Sequence, residues 1–273
     1  MQPHEKLLYD LCEYYGVSMQ EAFQLGTRSS GRKPSLPGST TCEPVSDMTL
    51  EDIWALSPRG DQESIFKFYK DQGAWSSFRQ VVRHMDLLEF HSGILNTLQL
   101  RPGMHICEYG CGVAPFMRTL VQYMPQVSEA LNISLSDVDS EHFSFGIWRI
   151  KKAVDDRELN VNVVPVEISP NELPTYDKPL DVVLIFEVLE HVPSPLKCVE
   201  NLTNQMSPNA LLVENFIKHG DDDDDDGPDL DSAKNEREEY YSFLETNFHL
   251  VGGNNWTEDS DATRVWRKRT IKA

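Results

Sequence analysis

Apolar residues change their spacing along this chain, and the change divides it. In the first hundred residues they recur at helical intervals. Leu7, Leu8, Leu11, Cys12 and Tyr15 predict one helix that Gly16 ends, and Ser18 with Glu21 forms a capping box opening a second, short helix through Phe23. Residues 29–47, SSGRKPSLPGSTTCEPVSD, have the Ser, Pro and Gly content of a linker or mobile loop. Thr49 and Asp52 suit the start of a helix carrying Ile53, Trp54 and Leu56. A longer helical region runs from about Gln62 to Leu98, punctuated by Tyr69, Trp75, Phe78 and Phe90.

Beyond Pro102, short apolar runs alternate with helical stretches. His105–Tyr109, Asn132–Asp137, Val161–Val166, Asp181–Phe186 and Ala210–Phe216 read as strands, with helices near 115–130, 140–155, 193–206 and 232–247. Such alternation implies right-handed crossovers and a mostly parallel sheet. Phe248–Val251 and Arg264–Trp266 lie too close together for a crossover helix and suit an antiparallel edge. The expectation is two regions: a helical cap over 1–100 and an α/β domain over 101–273.

Composition narrows the function. The 273 residues carry 44 acidic and 25 basic side chains, a formal charge of −19. So acidic a body is repelled by nucleic-acid phosphates and anionic lipid, which excludes nonspecific polyanion binding. The run Asp221–Asp226 supplies six of those charges within an acidic loop spanning 219–232, between the fifth strand and the last long helix. No apolar stretch reaches the eighteen residues of a membrane span. MQPHEKLLYD lacks the apolar run of a signal peptide. Five scattered cysteines without a CxxC pair fit reduced thiols in the cytoplasm.

The segment ICEYGCGVAPF places Glu108, Gly110, Cys111 and Gly112 where the first strand gives way to a helix. Glycine permits a tight turn and close approach of a ligand to bare backbone, and ligands bind at the carboxyl ends of strands in such sheets. A dinucleotide fingerprint GxGxxG would need glycine at position 115, where Pro115 stands. The second strand ends in two carboxylates, Asp137 and Asp139, suited to accept hydrogen bonds from a ribose diol, or else to cap the next helix.

This order of motifs resembles the class I S-adenosylmethionine-dependent methyltransferases. Their first motif, acid-x-Gly-x-Gly-x-Gly, corresponds to Glu108 through Ala114, with alanine in place of the third glycine. The resemblance implies a Rossmann-like, seven-stranded, mostly parallel sheet with helices on both faces, plus the N-terminal cap. It implies that Glu108 faces the methionine end of the cofactor and that the Gly110–Gly112 backbone passes beneath it. It gives Asp137, beside Val138, the ribose, with Asp139 as the alternative. It puts Glu167 near the adenine amino group with Ile168 beside the ring, and has Phe186 and Glu187 line the site. SFLETNFHLVGG is similar to the family's last helix and sixth strand, and TRVWRKR to its reversed seventh, so the likeness spans residues 101–270.

Methyl transfer from a sulfonium is an in-line displacement, and a base helps only when the acceptor nucleophile carries a proton. His191, just beyond the fourth strand, is the candidate base; otherwise it bonds neighbouring backbone in a sharp turn. Glu187, Glu190 and His191 also resemble the magnesium-binding arrangement of metal-dependent O-methyltransferases, with His219 a conceivable fourth ligand. Glu187 is already assigned to the cofactor and the histidine-rich signature of the RNA enzymes is missing, so no metal is expected. No Asn-Pro-Pro-Tyr follows the fourth strand, and no Pro-Cys pair offers a nucleophile for cytosine methylation. The expectation is an S-adenosyl-L-methionine-dependent methyltransferase acting on oxygen or nitrogen of a small molecule, under helices that contribute Tyr69, Trp75 and Phe78. The alternatives are a methyltransferase of basic proteins and a catalytically silent binding module.

Overall fold

The computed structural model describes residues 3–27, 57–58, 61–128, 130–217, 229–254 and 262–270. The expected linker at 29–47, the helix expected after Thr49, His219 and the Asp221–Asp226 run lie outside them.

Helix α1 (Pro3–Tyr15) ends at Gly16, whose φ of +68° turns the chain. Helix α2 (Met19–Thr27) begins with the Glu21 amide donating to Ser18 Oγ at 3.2 Å and runs a turn past Phe23. The region from Gln62 to Leu98 forms three helices: α3 (Gln62–Asp71), α4 (Ala74–Asp86) and α5 (Leu88–Thr97). The first break falls at Gly73, φ +62°, a backbone state that costs other residues about 1–2 kcal/mol. Gly26 lets α2 cross α4 closely: a Cβ there would lie 2.6 Å from the carbonyl oxygen of Phe78. Leu7, Leu11, Ala22, Phe78 and Val81 bury one another between these helices.

The sheet contains β1 (His105–Tyr109), β2 (Asn132–Val138), β3 (Asn162–Ile168), β4 (Leu180–Phe186), β5 (Met206–Asn215), β6 (Phe248–Gly252) and β7 (Arg264–Lys268). Their order is β3-β2-β1-β4-β5-β7-β6, with β7 antiparallel to both neighbours and the first five strands parallel. Alternation along β4 shows why helices cover both faces. Val183 and Ile185 join a core with α9 (Pro195–Gln205) and α10 (Asp231–Asn247), through Val199, Leu202, Tyr240 and Leu244. Val182 and Leu184 face the opposite core with α6 (Pro115–Tyr123) and α8 (Glu141–Asp155), through Phe116, Met117 and Ile150. A four-residue α7 (Pro125–Ser128) leads into β2.

The N-terminal helices share their core with this layer. The ring of Tyr14 lies 5.2 Å from Phe145 and 5.0 Å from Trp148, both on α8. No helix of the described residues is long and apolar enough to cross a membrane.

Candidate functional site

The turn after β1 is pinned from below. The amides of Gly110 and Cys111 both donate to the Ser136 carbonyl of β2, at 2.7 and 3.1 Å. Gly110 and Gly112 have φ of +64° and +49°, and Ala114 sits in the left-handed region at the N-cap of α6. Alanine tolerates that conformation at a cost of about 1 kcal/mol, so the family's third glycine is dispensable here. Space also demands the first, since a Cβ on Gly110 would lie 2.3 Å from Val188 Cγ2; one on Gly112 would meet Gln80 Oε1, the movable end of a flexible side chain, at 2.2 Å.

Carboxylates crown four adjacent strands. Glu108, on β1, is buried and accepts from the Phe116 and Met117 amides at 3.1 and 2.9 Å, in the first turn of α6. Burial pushes its carboxyl up to about 8, outweighing the two amides that favour the anion. Asp137 accepts from Gly112 N at 2.5 Å and from Val138 N at 2.7 Å, and burial raises it to about 6. It braces the glycine turn. Asp139, two residues further on, is exposed and accepts from Lys70 Nζ of α3 at 2.8 Å. Parallel pairing sets Asp137 beside Glu167 and Val138 beside Ile168 at the tips of β2 and β3. Glu167 is exposed and Ile168 buried.

Residues of the helical region that the sequence did not single out meet this crest. Gln80 Oε1 accepts from Val113 N at 3.2 Å, directly over the glycine turn. Three positions on, Arg83 pairs with both oxygens of Glu187 at 2.5 Å. Nothing in FRQVVRH distinguishes these side chains from a solvated helix face; only the docking of α4 does.

The segment after β4 is strained and partly buried. Glu187 adopts φ +54°, held by its amide donating to Asn215 Oδ1 at 2.8 Å. A 3-10 turn, Leu189–His191, follows. Glu190 is fully buried with neither carboxylate oxygen hydrogen-bonded, and burial raises its carboxyl well above the usual range. Its carbonyl accepts from Leu230 N at 2.9 Å. The amide of His191 donates to the Val188 carbonyl at 2.9 Å, and its one-fifth-exposed ring holds Nε2 3.9 Å from Glu190 Oε1. Among the described residues no three His, Cys, Asp or Glu side chains are grouped to hold a metal ion.

The three aromatics expected over the site separate. Tyr69 is half-buried, and burial, then the charges of Glu190 and Asp137, raise its hydroxyl. Trp75 is buried with its indole N–H unpartnered, beneath Arg79. Phe78 lies in the core between α1, α2 and α8, its ring 5.0 Å from Tyr15. Phe186 instead joins Phe116 at 4.5 Å and the exposed Phe90 at 5.8 Å. Cys111 and Cys107 are buried with thiols pushed up by burial, unlike nucleophiles.

The crest offers acceptors for a diol and an amine, apolar side chains in Val138 and Ile168 for a ring, and the Arg83 guanidinium for a carboxylate. That donor set fits S-adenosylmethionine.

Comparison with known proteins agrees in kind. The family described as methyltransferase domain matches residues 81–249, more than half of the chain. A SAM-dependent methyltransferase from Aquifex aeolicus superposes with a TM-score of 0.46 at 18% identity, covering 76% of this chain and 97% of that one. Magnesium protoporphyrin IX methyltransferase from Synechocystis PCC 6803, crystallised with SAM, gives 0.43 at 15% identity, covering 72% and 83%. TrmN from Thermus thermophilus gives 0.45 at 12%, covering 66% of this chain and 48% of its own length. No curated protein matches the sequence.

Proposed function

The chain belongs to the methyltransferase domain family and is an S-adenosylmethionine-dependent methyltransferase, and from that premise we propose that its acceptor is a small molecule methylated on oxygen or nitrogen. The observation that carries this reading is the cover over the strand tips. Lys70 reaches Asp139, Gln80 reaches Val113 and Arg83 reaches Glu187, so two helices close on the crest from one side. These side chains frame the crest on the scale of a small molecule, and the charge of −19 repels nucleic acid. A reducing, cytoplasmic setting suits its scattered cysteines.

The cofactor supplies a methyl group on a sulfonium, open to in-line attack. The protein's task is to bind and align. The Gly110–Gly112 backbone provides the floor. Arg83 answers the methionine carboxylate, Glu187 the amine, and Asp139 the ribose diol once Lys70 gives way, with Asp137 holding the turn from behind. Val138 and Ile168 flank the adenine, near Glu167. Phe186 and Tyr69 border the acceptor, and His191 takes its proton where the nucleophile carries one.

Transfer of tritiated methyl groups into a cell extract, followed by ultrafiltration, tests the acceptor class. Label in the filtrate is the expected result. Label retained with protein or nucleic acid overturns the small-molecule reading. His191→Ala tests the base: turnover should fall about 100-fold with cofactor binding intact.

A further inference from the structure

Two arginines lie buried behind the glycine turn. Arg118, on α6, and Arg149, on α8, both bind the carboxylate of Asp10 from α1. Arg118 Nε and Nη2 reach Asp10 Oδ2 and Oδ1 at 2.8 and 3.1 Å, and Arg149 Nε reaches Asp10 Oδ2 at 3.2 Å. Asp10, Arg118 and Arg149 are 5%, 5% and 0% exposed. Arg149 Nη1 donates to the carbonyl of Val113 at 3.1 Å. Its other terminal nitrogen, Nη2, is buried without a partner.

Val113 belongs to the cofactor turn, its amide held by Gln80 and its carbonyl by Arg149. The same helix, α8, presses its Gly146 against that turn, where a Cβ would lie 2.5 Å from the Gly112 carbonyl oxygen. The charges facing the Arg149 guanidinium are Asp10, Arg118 and Glu108. Asp10 binds it from α1, an element outside the sheet and its helices.

We propose that Asp10 is a positioning residue for the cofactor turn: through Arg149 it fixes the Val113 carbonyl, and with it the Gly110–Ala114 backbone on which the cofactor lies. The inference rests on the cofactor reading above. Its consequence is linkage. If docking of α1 sets the turn, cofactor binding must stabilise the docked α1 by the same factor. A side chain about a hundred residues upstream of the glycines thereby sets cofactor affinity.

The test uses the full chain with S-adenosylhomocysteine as probe. In the unaltered protein, saturating probe should slow hydrogen exchange of the α1 amides after Asp10 about tenfold. Unchanged α1 exchange, with probe bound, overturns the proposal. Asp10→Asn keeps the shape but removes the charge that orients Arg149, and should weaken probe binding about tenfold, raising KM for the methyl donor more than it lowers kcat. Tyr15→Phe is the control. It loosens α1 by removing its 2.9 Å bond to Ser77 Oγ but leaves Asp10 in place, so probe affinity should hold. Equal weakening by both variants would mean that α1 acts only through general stability, and would also overturn the proposal. Asp10→Glu should regain part of the affinity lost in Asp10→Asn; no recovery counts against it. Absence of probe binding to the unaltered protein would instead sink the cofactor reading, so the two failures are distinct.

Discussion

Substituting Gly110 by alanine tests whether the cofactor turn is shaped by protein packing or only by its ligand. Gly110 has φ +64°, where an L-residue pays about 1–2 kcal/mol. The new methyl would lie 2.3 Å from Val188 Cγ2 and 2.8 Å from Cγ1, against the ~3.5–4.0 Å of an ordinary carbon contact. A valine side chain is stiff about χ1 and cannot swing aside freely. Val188 is itself bound in place by the His191 amide on its carbonyl. Overpacking of this kind costs about 1–3 kcal/mol, so Gly110→Ala should destabilise the protein by roughly 2–5 kcal/mol in all. Val188→Ala alone removes two half-buried methyls and costs about 1–2 kcal/mol. In the double variant the overlaps with Cγ1 and Cγ2 disappear, leaving the tight 3.1 Å contact with the Cβ of residue 188, and the loss should fall short of the sum of the two single losses by about 1–3 kcal/mol. Urea unfolding at constant slope supplies all four corners of the cycle. Losses that add to within about 0.5 kcal/mol would refute the steric account, leaving backbone strain as the whole cost.

Three further outcomes follow. Arg83→Ala should weaken S-adenosylhomocysteine binding ~10–100-fold by calorimetry, with unfolding changed by less than about 1 kcal/mol, since the Arg83–Glu187 pair is largely exposed; unchanged affinity would remove Arg83 from the site. Stability of the protein should peak near pH 6 to 6.5. On the alkaline side, burial raises Glu108 to about 8, Asp137 to about 6 and Glu190 well above its usual range, so the folded state holds protons the unfolded chain has released; the stability these groups contribute is lost as pH rises from about 4.5, and above the peak this loss dominates. On the acid side, burial lowers His91 and His142 to about 4 and His84 further, so the unfolded chain takes up more protons and stability falls as pH drops below about 6.5. Glu108→Gln should make the alkaline limb shallower, the buried Glu190 supplying what remains; an unchanged limb in thermal unfolding across pH contradicts the assignment. Asp10→Ala, which strands two buried guanidinium groups, should cost about 3–5 kcal/mol in the same assay, and a loss under 1 kcal/mol would mean those charges are solvated.

Much of the sheet could be read from its strands because parallel strands buried on both faces are continuous apolar runs. DVVLIF is such a run, and β4 begins only one residue earlier than the pattern suggests. β5 begins at Met206, four residues before the run at Ala210, because Met206 pairs with Leu180 across a register shift that Ser207, Pro208 and Asn209 conceal. The helical region gave its period but not its breaks at Gly73 and Leu87. At the site, the glycines and strand-tip acids were legible because each lies within a local motif. Which acid a ligand can reach was not. Asp137 turns inward to the Gly112 amide while Asp139 stays exposed, and that choice is set by the distance from the turn to β2. Gln80, Arg83 and Asp10 were illegible for a different reason: their role comes only from where α1 and α4 dock.

The most direct test of the whole account is calorimetric titration of S-adenosylhomocysteine into the full chain and into Gly110→Arg. Micromolar binding by the first, ~8 kcal/mol, and none by the folded second is the result the geometry predicts. No binding by the unaltered protein, or equal binding by both, would contradict a cofactor site on the Gly110–Ala114 turn.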